Sequence, residues 1–218
     1  MKKLIDLSHT IEDGLVTYKG LPAPIICDFL SREASKDMYQ EGTSFHIGKI
    51  EMCSNTGTYL DSPFHRFEDG DDLAELAIES VASLDAVKVV IPATVTAIGP
   101  EYFQNINMLG KAVLIQTNWS MHWNTEKYYE GYPYLTEDTA QYLRNSGAIL
   151  VGIDSYNIDD ISGNTRPVHT ILLGSDILIV EHMCNLAAVP EKGFKFYAVP
   201  IKVKGFGTFP VRAFAELD

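Results

Sequence analysis

Between Asn55 and His65 the chain reads Asn-Thr-Gly-Thr-Tyr-Leu-Asp-Ser-Pro-Phe-His. An acid, an imidazole and turn-forming residues packed this closely leave little room for an ordinary core strand. Gly57 permits backbone geometries closed to other residues. Ser62-Pro63 predicts a helix N-cap followed by a proline pre-set for the first helical position. Asp61 and His65 then lie at the mouth of a short helix, near enough to grip one ion. Carboxylate oxygen with imidazole nitrogen is ligand chemistry suited to zinc, manganese or iron. Taken alone, D-x-x-x-H also describes a helix cap beside a surface histidine.

The wider segment resembles the signature H-x-G-T-H-x-D-x-P-x-H of the cyclase family, which includes bacterial kynurenine formamidase and isatin hydrolase. Gly57, Thr58, Asp61, Pro63 and His65 match it, while Asn55 and Tyr59 stand where the signature has its first two histidines. Further stretches resemble the family in the expected order. They are Ile5–Ile11, Val151–Ser155, Pro167–Leu173, Ile179–Leu186 and Pro210–Ala213. The resemblance spans nearly the whole chain. It implies an α/β protein of the swivelling β/β/α type, with a mixed sheet and a few helices, in a single domain over residues 1–218.

Composition excludes several function classes. The net charge of −12 opposes nucleic acid, since a phosphate-binding surface needs clustered Lys and Arg, and it disfavours anionic membranes. Apolar residues make up 46% and charged ones 21%, which marks a globular chain and not a disordered one. Cys27, Cys53 and Cys184 form an odd set without C-x-x-C spacing, which predicts buried thiols in a reducing compartment. The start, Met1-Lys-Lys, is followed by no apolar signal region, and no stretch reaches membrane-span length. The cytoplasm is the expected location.

Val- and Ile-rich runs predict strands at Lys3–Leu7, Ser44–Cys53, Val87–Ile91, Ala112–Gln116, Ile149–Ile153, Ile177–Glu181 and Phe194–Val203. Thr136 with Glu137 and Asp138 predicts a helix running to Gly147, and a second helix is expected from Pro100 through Phe103. Glu68–Asp72 reads as a solvated acidic loop.

Glu181 ends an apolar run that predicts a buried strand, so its carboxylate needs a cationic or hydrogen-bonding partner. His169 must come from a different element. Carried over by position, the resemblance implies a metal set of Asp61, His65, His169 and Glu181. The neighbouring site of two-metal relatives keeps only Asp61 here, because Asn55 is a weak neutral donor and Tyr59 is protonated near neutral pH. One divalent metal is therefore expected, zinc first and manganese second. Four protein ligands would leave water no place, so either His65 or Glu181 standing back would act as general base. Tyr59 either polarises a substrate carbonyl or fills the missing ion's volume.

Other residues carry two readings each. Asn55 and Trp119 are candidate substrate contacts, and the aromatic segment around His122 is either a pocket wall or a subunit contact. His9 and His46 read as packed strand histidines. His182 is expected to point away from Glu181. Asp154 reads as a ligand-binding strand end or a turn cap, and Arg212 as a partner of a substrate carboxylate or an internal acid.

The resemblance implies hydrolysis of an amide-type C–N bond in a small molecule. The specific reaction that the resemblance suggests is that of kynurenine formamidase, which releases formate from N-formylkynurenine in tryptophan breakdown. A single-metal lyase or cyclase, or a binding protein with a structural metal, is the alternative. Short strands with open edges, and the family's habit, predict a homodimer or homotetramer with Trp119–Tyr134 in the contact.

Overall fold

The computed structural model describes residues 2–217. In chain order the strands and α-helices are β1 (Lys3–Asp6), β2 (Ile25–Leu30), α1 (Arg32–Lys36), β3 (Ile47–Glu51), β4 (Tyr59–Asp61), β5 (Leu84–Val90), β6 (Ala97–Ile98), β7 (Ala112–Gln116), β8 (Tyr134–Leu135), α2 (Glu137–Asn145), β9 (Leu150–Ile153), α3 (Pro167–Leu173), β10 (Leu178–Glu181), β11 (Lys192–Tyr197), β12 (Thr208–Pro210) and β13 (Phe214–Leu217). Nine strands form one mixed sheet in the order β1-β13-β11-β5-β7-β9-β10-β4-β12. The centre, β5-β7-β9-β10, is parallel, and the strands flanking it pair antiparallel. This is the expected α/β class with few helices.

The central strands are apolar without interruption because both faces are covered, as parallel sheets require. Side chains alternate between two cores. Leu114, Leu150, Leu178, Val180 and Leu60 enter one. Val113, Ile115, Val151, Ile153 and Ile179 enter the other, together with Leu143 of α2 and Val168 and Leu172 of α3. The period of two then fixes the site. Leu60 and Val180 face the first core, so Tyr59, Asp61 and Glu181 face the side that carries α3. Antiparallel pairing sets Ile179 opposite Asp61 and Glu181 opposite Tyr59.

Most predicted strands are present within a few residues. The run expected over Phe194–Val203 stops at Tyr197, just short of Pro200, which lacks a ladder donor. The Pro100 helix is a single 3-10 turn, Pro100–Phe103. α2 starts as expected, with the Thr136 hydroxyl accepting from the Thr139 amide at 3.3 Å, and Gly147 follows it at φ +75°.

Two expectations need correction. Asp72 is not part of a solvated loop: it is buried and accepts the amides of Ala74, Glu75 and Gly205. Cys27 is exposed because β2 lies on a two-stranded arm with β3, although all three cysteines are free. The aromatic rings of the 119–134 segment turn inward, where Tyr128, Tyr132, Trp119 and Trp123 pack with Tyr156. Met121 of that segment stays exposed, and a cluster of exposed apolar side chains lies on the arm, at Ile25, Phe29, Ile47 and Ile50. Among the described residues no helix is long and apolar enough to cross a membrane.

Candidate metal centre

β4 delivers Tyr59 and Asp61 into the interior, and a 3-10 turn over Pro63–His65 brings His65 back beside them. Ser62 has the extended backbone of an N-cap, but its hydroxyl makes no capping bond, and its carbonyl accepts from the His65 amide at 2.9 Å. Gly57 sits at φ +69° against Ile11. Gly207 packs directly on the backbone of His65, where a Cβ would come within 2.2 Å of the amide nitrogen. Bulk at position 207 would therefore push the His65 turn away from Asp61.

Asp61, His65 and His169 form a set whose ligand atoms all lie within 4.8 Å of one another. His169 Nε2 is 3.8 Å from Asp61 Oδ2 and 4.0 Å from Glu181 Oε1. Two donors on one zinc stand at most about 4.2 Å apart, given bonds of about 2.1 Å. Asp61 is fully buried, and its Oδ2 has no hydrogen-bond partner. A lone carboxylate oxygen in that position is unfavourable without a cation. The residues therefore fit a divalent metal.

His169 is held for this task. Its Nδ1 bonds Asp159 Oδ2 at 2.6 Å, which leaves Nε2 directed at Asp61. Asp159 also accepts the amides of Val168 at 2.8 Å and His169 at 3.0 Å, so one carboxylate caps α3 and orients its imidazole. Such outer-shell carboxylates fix tautomer and raise ligand basicity. Burial disfavours the charged imidazole, but the Asp159 bond and the charges of Glu181 and Asp61 outweigh it and raise His169 to about 9. A metal ion binding there displaces that proton, since only the neutral imidazole ligates. Thr208 bridges Asp61 Oδ1 and His65 Nδ1, the latter at 2.8 Å, so Nε2 of His65 stays free as a ligand.

Glu181 stands beside this set rather than within it. Its Oε1 accepts the Ile158 amide at 2.6 Å and its Oε2 accepts the Tyr59 hydroxyl at 2.7 Å. Burial raises the carboxyl of Glu181, and Asp61 adds to the effect. The Tyr59 phenol is fully enclosed, and burial with the charges of Glu181 and Asp61 holds it well above its ordinary value, so it is a neutral donor. Asn55 and Tyr59 line the same cavity, and the Asn55 side-chain oxygen accepts from the Ser54 hydroxyl at 3.2 Å.

A cavity of about 660 Å³ opens over these groups, with Asn55, Tyr59, His65, His169 and Glu181 in its lining. Trp119, expected against the substrate, does not line it, because its indole donates to the Tyr128 carbonyl at 3.0 Å inside the aromatic cluster. His46 pairs with Asp28 on the arm, and His9 stacks on Trp123 with ring centres 3.9 Å apart. His182 turns away from Glu181 to bond Tyr128 at 2.9 Å. Asp154 is a turn anchor: it accepts the amides of Thr117 and Asn118, and burial raises it to about 6. Arg212 pairs with the internal acid Asp6. Asp159 and Thr208 were missed. Asp159 carries no local motif, and only the capping need of α3 nine residues on points to it.

The family model described as "Putative cyclase" matches residues 5–160. A kynurenine formamidase from Bacillus cytotoxicus is 29% identical over 210 residues, 96% of this chain and 95% of that protein. A second, from Bacillus cereus, is 27% identical over the same shares. Among solved structures, isatin hydrolase A from Labrenzia aggregata superposes with a TM-score of 0.84 at 19% identity, covering 99% of this chain and 94% of that one. A potential metal-dependent hydrolase with cyclase activity gives 0.82 at 22%, covering 100% and 99%. These two structures share the fold.

Proposed function

The chain belongs to the cyclase family, and from that premise we propose that it is a metal-dependent hydrolase of an amide-type C–N bond. The first substrate to test is an aryl formamide such as N-formylkynurenine. One observation carries the reading. The unpartnered oxygen of buried Asp61 lies 3.8 Å from the oriented Nε2 of His169, and His169 lines a cavity sized for a small molecule.

Asp61, His65 and His169 would hold a single divalent ion, zinc or manganese. When bound there, such an ion lowers the pKa of a coordinated water and polarises a carbonyl. Glu181, next to the three ligands but occupied by two donors, would take the proton of the attacking water after giving up one of them. His65, the most exposed of the three, could stand back in the same role. Tyr59 would donate its O–H to the substrate carbonyl oxygen once that hydrogen bond is exchanged, and Asn55 would steer the amide. The neutral pair Asn55 and Tyr59 supports one ion per chain rather than two.

We also propose a homodimer or homotetramer. Its support is the β2–β3 arm, whose exposed isoleucines and Phe29 a two-stranded ribbon cannot cover alone, and a second copy would cover them. The free cysteines accord with a reducing compartment such as the cytoplasm. The test of function is release of formate from N-formylkynurenine and from simple aryl formamides by metal-loaded protein, abolished by chelator. No turnover of any formamide, ester or imide at full metal content would move the assignment to a lyase or a binding protein.

A further inference from the structure

The rim of the cavity carries Arg66 and Arg166, two cations in a chain of net charge −12. Each stands within three positions of a candidate ligand histidine in sequence. Arg66 follows His65 directly, and Arg166 ends the loop that leads into α3 and His169. Neither has a carboxylate within ion-pair distance among the described residues. Arg66 donates Nε to Thr170 Oγ1 at 3.1 Å, and Arg166 donates to the carbonyls of its own loop, Gly163 at 2.9 Å and Thr165 at 2.6 Å. Asp160 feels the charge of Arg166, but both of its oxygens are engaged by Ser162. Arg212 shows the contrast, with its guanidinium forked on Asp6.

Thr170 ties the two arginines together. Its hydroxyl accepts from the Arg66 guanidinium and donates to the main-chain carbonyl of Arg166 at 2.7 Å, so the Arg66 head and the Arg166 backbone meet at the first turn of α3. Tyr18 lines the same cavity as Arg166. A guanidinium with open donors at the mouth of a cleft matches a planar carboxylate. An acidic surface repels anions, so a local positive rim is what admits one.

Building on the hydrolase reading, we propose that Arg166 and Arg66 are specificity residues that recognise a carboxylate on the substrate. The carboxylate sits at the cavity rim while the scissile C–N bond lies over the metal site. The substrate class narrows to amides bearing a free carboxylate.

The experiment compares 2-formamidobenzoate with formanilide, and 2-aminobenzoate with 2-aminobenzamide, on metal-loaded wild type, Arg166→Met and Arg66→Met with metal content checked. In wild type, kcat/KM should favour the carboxylate of the first pair by about 10- to 100-fold, mainly through KM, as for a partly exposed charged contact. Each substitution should shrink that ratio about tenfold or more, and as a ratio within one protein it is insensitive to general loss of activity. Calorimetric binding of the second pair should show the same preference and the same loss. Cleavage of both formamides with a ratio near one, or a ratio that both substitutions leave intact, overturns the inference and leaves the hydrolase reading standing. If neither formamide is cleaved while an arginine-dependent preference for 2-aminobenzoate persists, the carboxylate site stands and the hydrolase reading falls. Absence of that binding preference as well overturns the inference.

Discussion

Replacing Asp159 by Asn keeps the shape of the group that orients His169 and removes its charge. The carboxylate accepts three bonds, from Val168 N, His169 N and His169 Nδ1. The amide oxygen can keep the two made by Oδ2, but its NH₂ then faces the Val168 amide, donor against donor. A hydrogen bond to a charged group contributes about 1.5–3 kcal/mol, and a donor left unpaired costs about as much as a weak bond. Loss of such an outer-shell partner weakens metal binding by about 10- to 100-fold, or roughly 1.4–2.7 kcal/mol. Two assays separate the effects. Competition with a chromophoric chelator should show the fall in zinc affinity. Thermal unfolding in excess chelator should show a Tm loss of roughly 3–12 °C, at about 2–4 °C per kcal/mol for a chain of this size. A Tm loss with zinc affinity within twofold of wild type would make Asp159 a helix cap only and refute its part in the metal site.

Tyr59→Phe should retain the metal and lower turnover at least tenfold, because Glu181 loses a donor in a buried position; unchanged turnover would reduce Tyr59 to a space-filler. His182 and His9 are held neutral by burial, at about 3 and about 4 against an ordinary 6.5. The unfolded chain therefore binds more protons below pH 6.5, and the stability these residues supply is present above that pH and lost as pH falls toward 4. In chelator, the Tm advantage of wild type over His182→Gln should narrow between pH 7 and pH 4.5, and a constant gap would contradict the buried neutral state. Light scattering should show a dimer or tetramer that Phe29→Ser with Ile50→Ser shifts toward monomer; a monomeric wild type would refute assembly through the arm.

The sequence disclosed the sheet better than the helices. Val- and Ile-rich runs such as Ala112–Gln116 are strands because burial on both faces suits them, and that pattern is local. α3 was not legible, since Pro-Val-His-Thr lacks a capping residue of its own and its cap, Asp159, arrives from another loop. Three of the four expected ligands converge as one set because strand alternation places Asp61 inward and α3 packs over that face. Glu181 arrives on the same face, yet its oxygens are claimed by Ile158 and Tyr59, contacts that depend on three separate elements. Trp119 packs in the aromatic cluster and not along the cavity for a similar reason: aromatic composition predicts burial without saying against what.

The central claim is a mononuclear site built by Asp61, His65 and His169, and elemental analysis of the purified protein tests it most directly. Wild type saturated with zinc and then desalted should retain about one ion per chain, and His169→Ala should retain close to none. Two tightly held ions per chain, or one ion that survives His169→Ala, would contradict it.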